Sequence, residues 1–205
     1  MTQVIDLLGY ERIATLASAL PFAPAREKFI FVRHGETEGN RNRVYQFPHT
    51  PLNQAGETQA QRAAKNLAAT RIGKLVASPM ARAWRTASLI AAEHKMHPEV
   101  DGALSERFYV SLWDKPIGER FDWNLDPDGC EPLSTFVHRA AHSLMRILTD
   151  DAHDGETVIV AHGGILLVTC ALTGVSLTSE LRRNAVPLRF ERADIAWTAT
   201  PPAAP

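Results

Sequence analysis

The stretch FIFVRHGET, residues 29–37, decides how this chain folds. Its four consecutive apolar residues, Phe29 to Val32, are typical of a strand that is buried on both faces of a sheet. His34 and Gly35 are the second and third residues after that strand. A second stretch, TVIVAHGG at residues 157–164, repeats the pattern, with β-branched residues followed by His162 and two glycines. Each stretch predicts a strand whose carboxyl end carries a histidine.

Helix and strand patterns alternate through the rest of the chain, which is typical of the α/β class. Apolar periodicity and turn residues predict helices over 2–20, 54–69, 78–93, 132–150 and 165–172, and further strands over 75–77, 99–101, 187–191 and 195–198. Asn53 lies directly before the second of these helices and is a candidate N-cap. Strands joined by helices favour a mostly parallel sheet.

The chain has 205 residues, which favours one domain with one sizeable core. We expect a single domain over 1–205, with an N-terminal helical extension at 1–26, a catalytic core at 27–199 and a flexible tail at 200–205. The segment from Phe108 to Pro132 mixes aromatic and acidic residues with proline and glycine. This composition predicts a long ordered loop, or lid.

The composition excludes several classes of partner. The formal net charge is −1, so no overall positive field attracts nucleic acid or an anionic membrane surface. No apolar run approaches the roughly 18 residues that a membrane-spanning helix needs. Two cysteines, Cys130 and Cys170, are too few and too far apart for a disulfide framework or a zinc site. They are interpreted as reduced thiols of a cytoplasmic protein.

The N-terminal stretch 2–20 is predicted to be an amphipathic helix that ends before Pro21. Its apolar residues fall near helical spacing: Val4, Ile5, Leu8, Ile13, Leu16 and Leu20. This apolar face packs either on the domain itself or on another subunit. The second alternative predicts a homodimer formed through the N-terminal helix.

The two strand ends point to an anion site. Ligands of open α/β sheets bind beyond the carboxyl ends of the strands. If the two strands are parallel neighbours, His34 and His162 reach one crevice, where Gly163 lets backbone N–H groups approach an anion closely. Arg33 and Arg82 add forked donors that match phosphate oxygens.

Six segments, in order along the chain, resemble the histidine phosphatase superfamily, which includes the cofactor-dependent phosphoglycerate mutases. They are Arg33-His34-Gly35-Glu36-Thr37 with Asn40 downstream, Pro51 to Ala60, Ser78 to Ala87, Leu104 to Arg107, Glu131 to Arg139, and Val158 to Gly164. The resemblance covers about residues 28–196. It implies a three-layer α/β/α fold with a mostly parallel central sheet, of the phosphoglycerate mutase-like type.

The resemblance also implies a mechanism. His34 attacks phosphorus and becomes a phosphohistidine, which water then cleaves. Arg33, Arg82 and His162 hold the three equatorial phosphate oxygens, so no metal and no other cofactor is required. Glu106 protonates the leaving oxygen and then activates water.

Four further residues are predicted to bind the phosphate or the substrate: Asn40, Arg41, Gln46 and Gly163. For Arg41 and its neighbour Arg43, a place on the rim of the pocket and a role as a solvated surface charge are equally open. The chain departs from the family pattern after Gln46, where Phe47 replaces a glycine, and after Glu106. Because of the second departure, Asp114 is an alternative acid. Arg107 is either the ion-pair partner of Glu106 or a substrate contact.

The resemblance predicts a metal-independent phosphomonoesterase of the histidine acid phosphatase type, which acts on a small phosphorylated metabolite. The short, acidic segment 108–130 favours hydrolysis over phosphoryl transfer. A phosphoglycerate mutase is the alternative within the same family. A non-catalytic scaffold protein that has kept the fold is the alternative from another class.

Overall fold

The computed structural model describes residues 7–150 and 152–201. These residues form one six-stranded sheet, whose strands are β1 Lys28–Arg33, β2 Ile72–Ala77, β3 Glu99–Val100, β4 Glu156–Ala161, β5 Pro187–Ala193 and β6 Ala196–Thr200. Their spatial order is β3-β2-β4-β1-β5-β6. The first four are parallel, whereas β5 runs antiparallel to β1 and β6 antiparallel to β5. The mostly parallel sheet expected from the sequence is therefore confirmed.

Helices cover both faces of this sheet. They are α1 Tyr10–Ser18, α2 Glu38–Arg41, α3 Gln54–Leu67, α4 Ala81–His94, α5 Leu133–Thr149 and α6 Gly163–Thr173. Alternate residues of β1 point to opposite faces: Phe29 and Phe31 pack with α1, α5 and α6, and Ile30 and Val32 pack with α3 and α4. The side-chain period of two along a buried strand thus produces two cores and three layers.

Most element boundaries differ from the sequence prediction by one to three residues. The side chain of Asn53 accepts a hydrogen bond from the Gly56 N–H, as its prediction as an N-cap requires. At the C-terminus, Thr200 belongs to β6 and pairs with Arg189 rather than starting a flexible tail. Residues 202–205 of that predicted tail lie outside the described residues.

The N-terminal helix begins at Tyr10 rather than Thr2, because Gly9 has a φ of 82° and interrupts helical geometry before it. Residues 1–6 of the predicted helix lie outside the described residues. Ile13 and Ala17 are fully buried against the domain core. Ile13 and Ala17 of the apolar face are therefore occupied within their own chain, whereas Leu8 is 41% exposed, and the homodimer through the N-terminal helix stays a prediction.

The predicted lid, residues 108–132, contains a single turn of 3-10 helix at Val110–Leu112. Two hydrogen bonds join its two ends. The Phe108 N–H donates to the Glu131 carboxylate, and the Phe108 carbonyl accepts the Glu131 N–H at 2.7 Å. The lid is thus a closed, hydrogen-bonded loop.

Within the described part of the chain, no helix is long and apolar enough to cross a membrane. Cys130 and Cys170 are both free thiols. The cytoplasmic location stays a prediction.

Candidate active site

Strands β1 and β4 are parallel neighbours in which Arg33 lies opposite Ala161. The residue after each strand is a histidine, so the imidazoles of His34 and His162 lie side by side with ring centroids 5.1 Å apart. A cavity of about 430 Å³ opens beside them. The crevice expected from the sequence is therefore present at the carboxyl edge of the sheet.

The imidazole of His34 is held in one orientation. Its Nδ1 lies 2.7 Å from the carbonyl oxygen of Gly35. A carbonyl only accepts hydrogen bonds, so Nδ1 carries the proton and Nε2 keeps its lone pair. Burial, together with the charges of Arg82 and Arg33, holds the pKa of His34 well below its ordinary value of 6.5. The ring is therefore neutral near pH 7 and presents an unprotonated Nε2.

His162 is fully buried next to His34 and does not line the cavity itself. Its Nε2 lies 2.8 Å from the hydroxyl oxygen of Ser78, and the same oxygen accepts the N–H of Met80 at 3.3 Å. The Ser78 hydroxyl is free to donate to Nε2, and in that arrangement the imidazole proton lies on Nδ1. Among the described residues this Nδ1 has no hydrogen-bond partner, so an incoming anion can accept from it.

Two guanidinium groups line the cavity next to the histidines. One Nη of Arg33 donates to the carbonyl of Arg182 at 2.7 Å, and one Nη of Arg82 donates to the carbonyl of Phe47 at 3.1 Å. The Nε of each arginine is buried without a partner in the described part of the protein. Burial lowers the pKa of both arginines to about 10, and both remain cationic at neutral pH.

Glu106 is the carboxylate that faces these cations across the cavity. One of its oxygens accepts the N–H of Gly164 at 2.9 Å, and the other accepts the N–H of Arg107 at 3.0 Å. Gly164 lies in the first turn of α6, so the carboxylate sits at the positive end of that helix. The Glu106 carboxylate can approach the helix this closely only because residue 164 is glycine, since a Cβ on residue 164 would overlap Glu106 Oε1.

Asn40 and Gln46 also line the cavity, as predicted. The Asn40 side-chain oxygen accepts the N–H of Thr37 at 3.2 Å, and Gln46 Oε1 accepts the Thr37 hydroxyl at 2.7 Å. With both carbonyl oxygens engaged, each amide directs its N–H₂ group elsewhere, which suits it to donate to an anion. Gly163 also lines this cavity.

Arg41, by contrast, is not brought to the site. Its exposed guanidinium pairs with Glu36 at 2.8 Å and Glu38 at 3.3 Å and does not line the cavity, which favours the surface alternative. Arg43 lines the cavity instead. The reason is local: α2 turns Arg41 toward the acidic residues of its own surface, whereas Arg43 has a φ of 53° that redirects the chain.

The structure also shows the surroundings of Asp114 and Arg107, the two residues near Glu106 whose roles were left open. Asp114, the alternative acid, is exposed and does not line the cavity. The side chain of Arg107 is completely buried and forms an ion pair with Asp126, while its Nη1 contacts the Tyr109 hydroxyl at 2.9 Å. Arg107 therefore pairs with Asp126 rather than with Glu106, and because it also lines the cavity, its role as a substrate contact stays a prediction.

Several residues of the site were assigned no role from the sequence. Ser78 orients His162 as described above. Asn184 donates to the His34 carbonyl at 2.8 Å, and Thr86 accepts the Gly35 N–H at 3.1 Å. Arg182 contributes a guanidinium to the cavity wall, and burial lowers its pKa. They come from two distant segments, 78–86 and 182–184, and no spacing rule links those segments.

No group of three or more histidine, cysteine, aspartate or glutamate side chains that could hold a metal ion occurs within 7–150 and 152–201. Besides the Glu106 and Glu119 carboxylates, the cavity is lined by arginines next to the neutral imidazoles, a donor set that matches phosphate oxygens.

The fold has three layers, α/β/α, and its site combines a neutral histidine, two arginines and a carboxylate at the carboxyl edge of the sheet. Together they define a class of enzyme-like proteins whose site is suited to bind phosphate. Residues 29–190 match the histidine phosphatase superfamily (branch 1). The chain belongs to this family.

Two relatives and one solved structure illustrate the range of the family. The chain is 35% identical to an agropine synthesis reductase of Rhizobium rhizogenes over 198 residues, which cover 90% of this chain and 44% of that protein. It is 32% identical to an uncharacterized phosphatase PhoE of Bacillus subtilis, over 81% of this chain and 89% of the relative. A phosphoglycerate mutase from Bacillus anthracis has the same fold, with a TM-score of 0.71 at 17% identity, covering 85% of this chain and 92% of that structure.

The phosphoglycerate mutase-like fold predicted from the sequence is thus confirmed. The chain spans less than half the length of the reductase that it matches.

Proposed function

We propose that this chain is a phosphomonoesterase domain that hydrolyses a small phosphorylated metabolite through a phosphohistidine on His34. The observation that carries the proposal is the orientation of His34. Its Nδ1 donates to the Gly35 carbonyl, which leaves the lone pair of Nε2 available beside two arginines. A neutral, fixed imidazole next to cationic donors suits in-line attack on a phosphate ester.

The reaction takes place in two balanced steps. In the first, Nε2 of His34 forms a bond to phosphorus while the bond from phosphorus to the ester oxygen breaks, and the Glu106 carboxylic acid gives its proton to that oxygen. In the second, the Glu106 carboxylate takes a proton from water, the water oxygen bonds to phosphorus, and the phosphorus–nitrogen bond breaks. Inorganic phosphate is released, Glu106 is again a carboxylic acid, and His34 is again neutral.

Charge on the phosphoryl oxygens is offset by Arg33, Arg82 and the Nδ1–H of His162. Each of these three side chains has a buried polar atom without a partner in the described residues. A buried polar group left unpaired costs roughly 1–3 kcal/mol, and a bound phosphate would satisfy all three at once. These donors supply the stabilisation for which other phosphoryl-transfer enzymes use a metal ion, so we propose that hydrolysis is metal-independent.

Glu106 is proposed as the proton donor because its carboxylate is fixed from both sides by the N–H groups of Gly164 and Arg107. A fixed carboxylate can deliver a proton to the same ester oxygen in each turnover. Asn40, Gln46 and Gly163 are proposed to complete the phosphate site. The catalytic core is proposed to comprise residues 27–200, since Thr200 ends the last strand.

The test is release of inorganic phosphate from a panel of phosphomonoesters in the presence of a chelator. We expect hydrolysis by the wild type, loss of at least a thousandfold in kcat for His34→Ala, and an acid-labile phosphoenzyme in rapidly quenched wild type. The matched control is His138→Ala, because His138 is exposed on α5 and lies outside the cavity.

Other outcomes would overturn the proposal. Isomerisation of 3-phosphoglycerate without phosphate release would assign the chain to the mutases. Binding of phosphate without turnover of any ester would favour a non-catalytic scaffold. Hydrolysis that survives in His34→Ala would exclude the phosphohistidine.

A further inference from the structure

The cavity beside His34 is larger than a phosphate group requires. Its volume is about 430 Å³, within the range of roughly 300–1,000 Å³ that is usual for sites that bind whole organic ligands. The phosphate-binding side chains occupy one end. The other end is formed by the lid and by the N-terminal segment, and its residues determine which leaving group fits.

This second end is walled by aromatic rings that contact one another. Tyr45 lies 5.0 Å from Tyr109 and 5.7 Å from Phe121, measured between ring centroids. Phe121 lies 4.8 Å from Trp123, and Trp113 lines the same cavity beside them. Offset and edge-on rings at these distances form a continuous apolar surface.

A further part of the wall comes from the N-terminal segment, outside the residues that match the family. Leu7 and Leu8 both line the cavity, and the carbonyl of Leu8 accepts the N–H of Trp123 at 3.0 Å. One turn further on, Arg12 donates to the carbonyl of Asn124 at 2.8 Å. These hydrogen bonds fix the leucines against the lid, so this wall is preformed and does not depend on the substrate to order it.

A second set of backbone hydrogen bonds fixes the lid on its other side. The Tyr45 N–H donates to the Lys115 carbonyl at 3.0 Å, and the Ile117 N–H donates to the Arg43 carbonyl at 2.7 Å. Between these two hydrogen bonds Val44 and Pro116 form an antiparallel bridge, which holds Tyr45 and Ile117 in place. Both apolar walls are ordered by main-chain contacts rather than by side-chain packing alone.

The polar atoms around Tyr109 are engaged with one another, whereas Arg43, Glu119 and Arg120 bring charged side chains to other parts of the cavity lining. The Tyr109 hydroxyl contacts Arg107, whose remaining donors go to Asp126 and to the Glu131 carbonyl at 2.9 Å. A sugar or a glycerate placed here would bring hydroxyl or carboxylate groups to a surface where these donors and acceptors are used. Burying such groups without partners is unfavourable.

We propose that this end of the cavity is a subsite for an aromatic ring, or a similarly flat apolar group, on the alcohol of the phosphomonoester. The inference rests on the proposed phosphatase function and adds the substrate class. The leaving group is bound between Leu7 and Leu8 on one side and the aromatic rings of the lid on the other, while its phosphate lies against Arg33 and Arg82.

The test compares two esters with similar leaving alcohols, 3-phenylpropyl phosphate and n-propyl phosphate, so that leaving-group chemistry does not decide the result. We expect kcat/KM to be at least about tenfold higher for the phenylpropyl ester, since even a single methylene in an apolar pocket discriminates by about tenfold or more. Glucose 6-phosphate is included as a polar competitor of similar bulk.

The variant Leu8→Asp should reduce the ratio of the two kcat/KM values about tenfold or more, because a carboxylate replaces part of the apolar wall. Val110→Asp is the matched control: Val110 is on the lid, 49% exposed against 41% for Leu8, and does not line the cavity. It should leave the ratio unchanged. The thermal midpoints of both variants show whether either is unfolded, and Leu8→Ala then provides a milder change at the same site.

The failure of the subsite and that of the phosphatase function give different results. Equal kcat/KM values for the two propyl esters, or a higher value for glucose 6-phosphate, overturn the subsite and leave the phosphatase function intact. Equal effects of Leu8→Asp and Val110→Asp on the ratio also overturn the subsite. No hydrolysis of any ester overturns the phosphatase function and the subsite with it.

Discussion

Replacing Gly164 by alanine tests the role of Glu106 through the backbone rather than by removing the carboxylate. A Cβ at residue 164 would overlap Glu106 Oε1 and approach Trp123 at 2.7 Å and Phe136 at 2.9 Å. Real Cβ atoms do not tolerate such distances, so the carboxylate must move away from the helix end where it accepts the Gly164 N–H at 2.9 Å.

The expected change in stability is small. Alanine improves the helix propensity of the first turn of α6 by up to about 1 kcal/mol, while overpacking against two buried rings costs roughly 1–3 kcal/mol. The free energy of unfolding should therefore fall by about 1 kcal/mol. The expected loss of activity is larger, because a misplaced general acid costs about 10²–10⁴ in rate.

The assay separates the two effects by the leaving group. An alkyl phosphate needs protonation of its leaving oxygen, whereas 4-nitrophenyl phosphate leaves as a stabilised phenolate and needs it much less. For Gly164→Ala and for Glu106→Gln, we expect kcat to fall at least about a hundredfold with the alkyl ester and less than about tenfold with the nitrophenyl ester. Gly102→Ala is the control, since its Cβ would meet no atom within 4 Å.

Equal losses with the two esters would refute this reasoning, because the defect would then lie in binding or folding rather than in proton transfer. A wild-type alkyl rate in Gly164→Ala would show that Glu106 is not the acid.

Three further predictions concern protonation, orientation and the lid. The pKa values of His34 and His162 are both lowered by burial, so on acidification only the unfolded state gains these protons near pH 6.5. The free energy of unfolding should then fall by up to about 2.7 kcal/mol per pH unit between about pH 6 and pH 5, two protons at about 1.36 each. Urea titrations of the wild type and of a His34→Asn, His162→Asn double variant test this, and equal pH slopes would contradict it. For the same reason kcat/KM should persist below pH 6.5, which also tests the predicted acid phosphatase type. Ser78→Ala removes the partner of His162 Nε2 and should lower kcat about tenfold or more, and an unchanged kcat would exclude its orienting role. Arg12→Ala breaks a partly exposed ion pair with Asp126 at 2.6 Å, so it should cost less than about 1 kcal/mol yet speed amide exchange at 123–124, and unchanged exchange would show that the N-terminal helix does not fix the lid.

Local sequence rules predicted the order and type of nearly every element. Buried strands were recognised from apolar runs, and the start of α3 from Asn53, because these depend only on neighbouring residues. Strand β2 was predicted at 75–77 and starts at Ile72. Its first half is only partly buried, and a bulge between Ile72 and Lys74 obscures the alternation.

Sequence also indicated the core of the site. The two histidines and two arginines follow strand ends or helix starts, and the parallel pairing of β1 with β4 brings them together. Arg41 was assigned to the site by proximity in sequence, and proximity along the chain does not determine which way a short helix turns its side chains.

The sequence alone determined that this chain folds as an α/β sheet with a histidine at the carboxyl end of two strands, because strand periodicity and strand ends are local properties. Only the tertiary structure decided which groups hold those histidines and what lies next to the phosphate. The Gly35 carbonyl, Ser78 and Asn184 fix the imidazoles, and Leu8 meets Trp123 across more than 100 residues of chain. Such contacts depend on packing between distant segments, and no pattern within a segment records them.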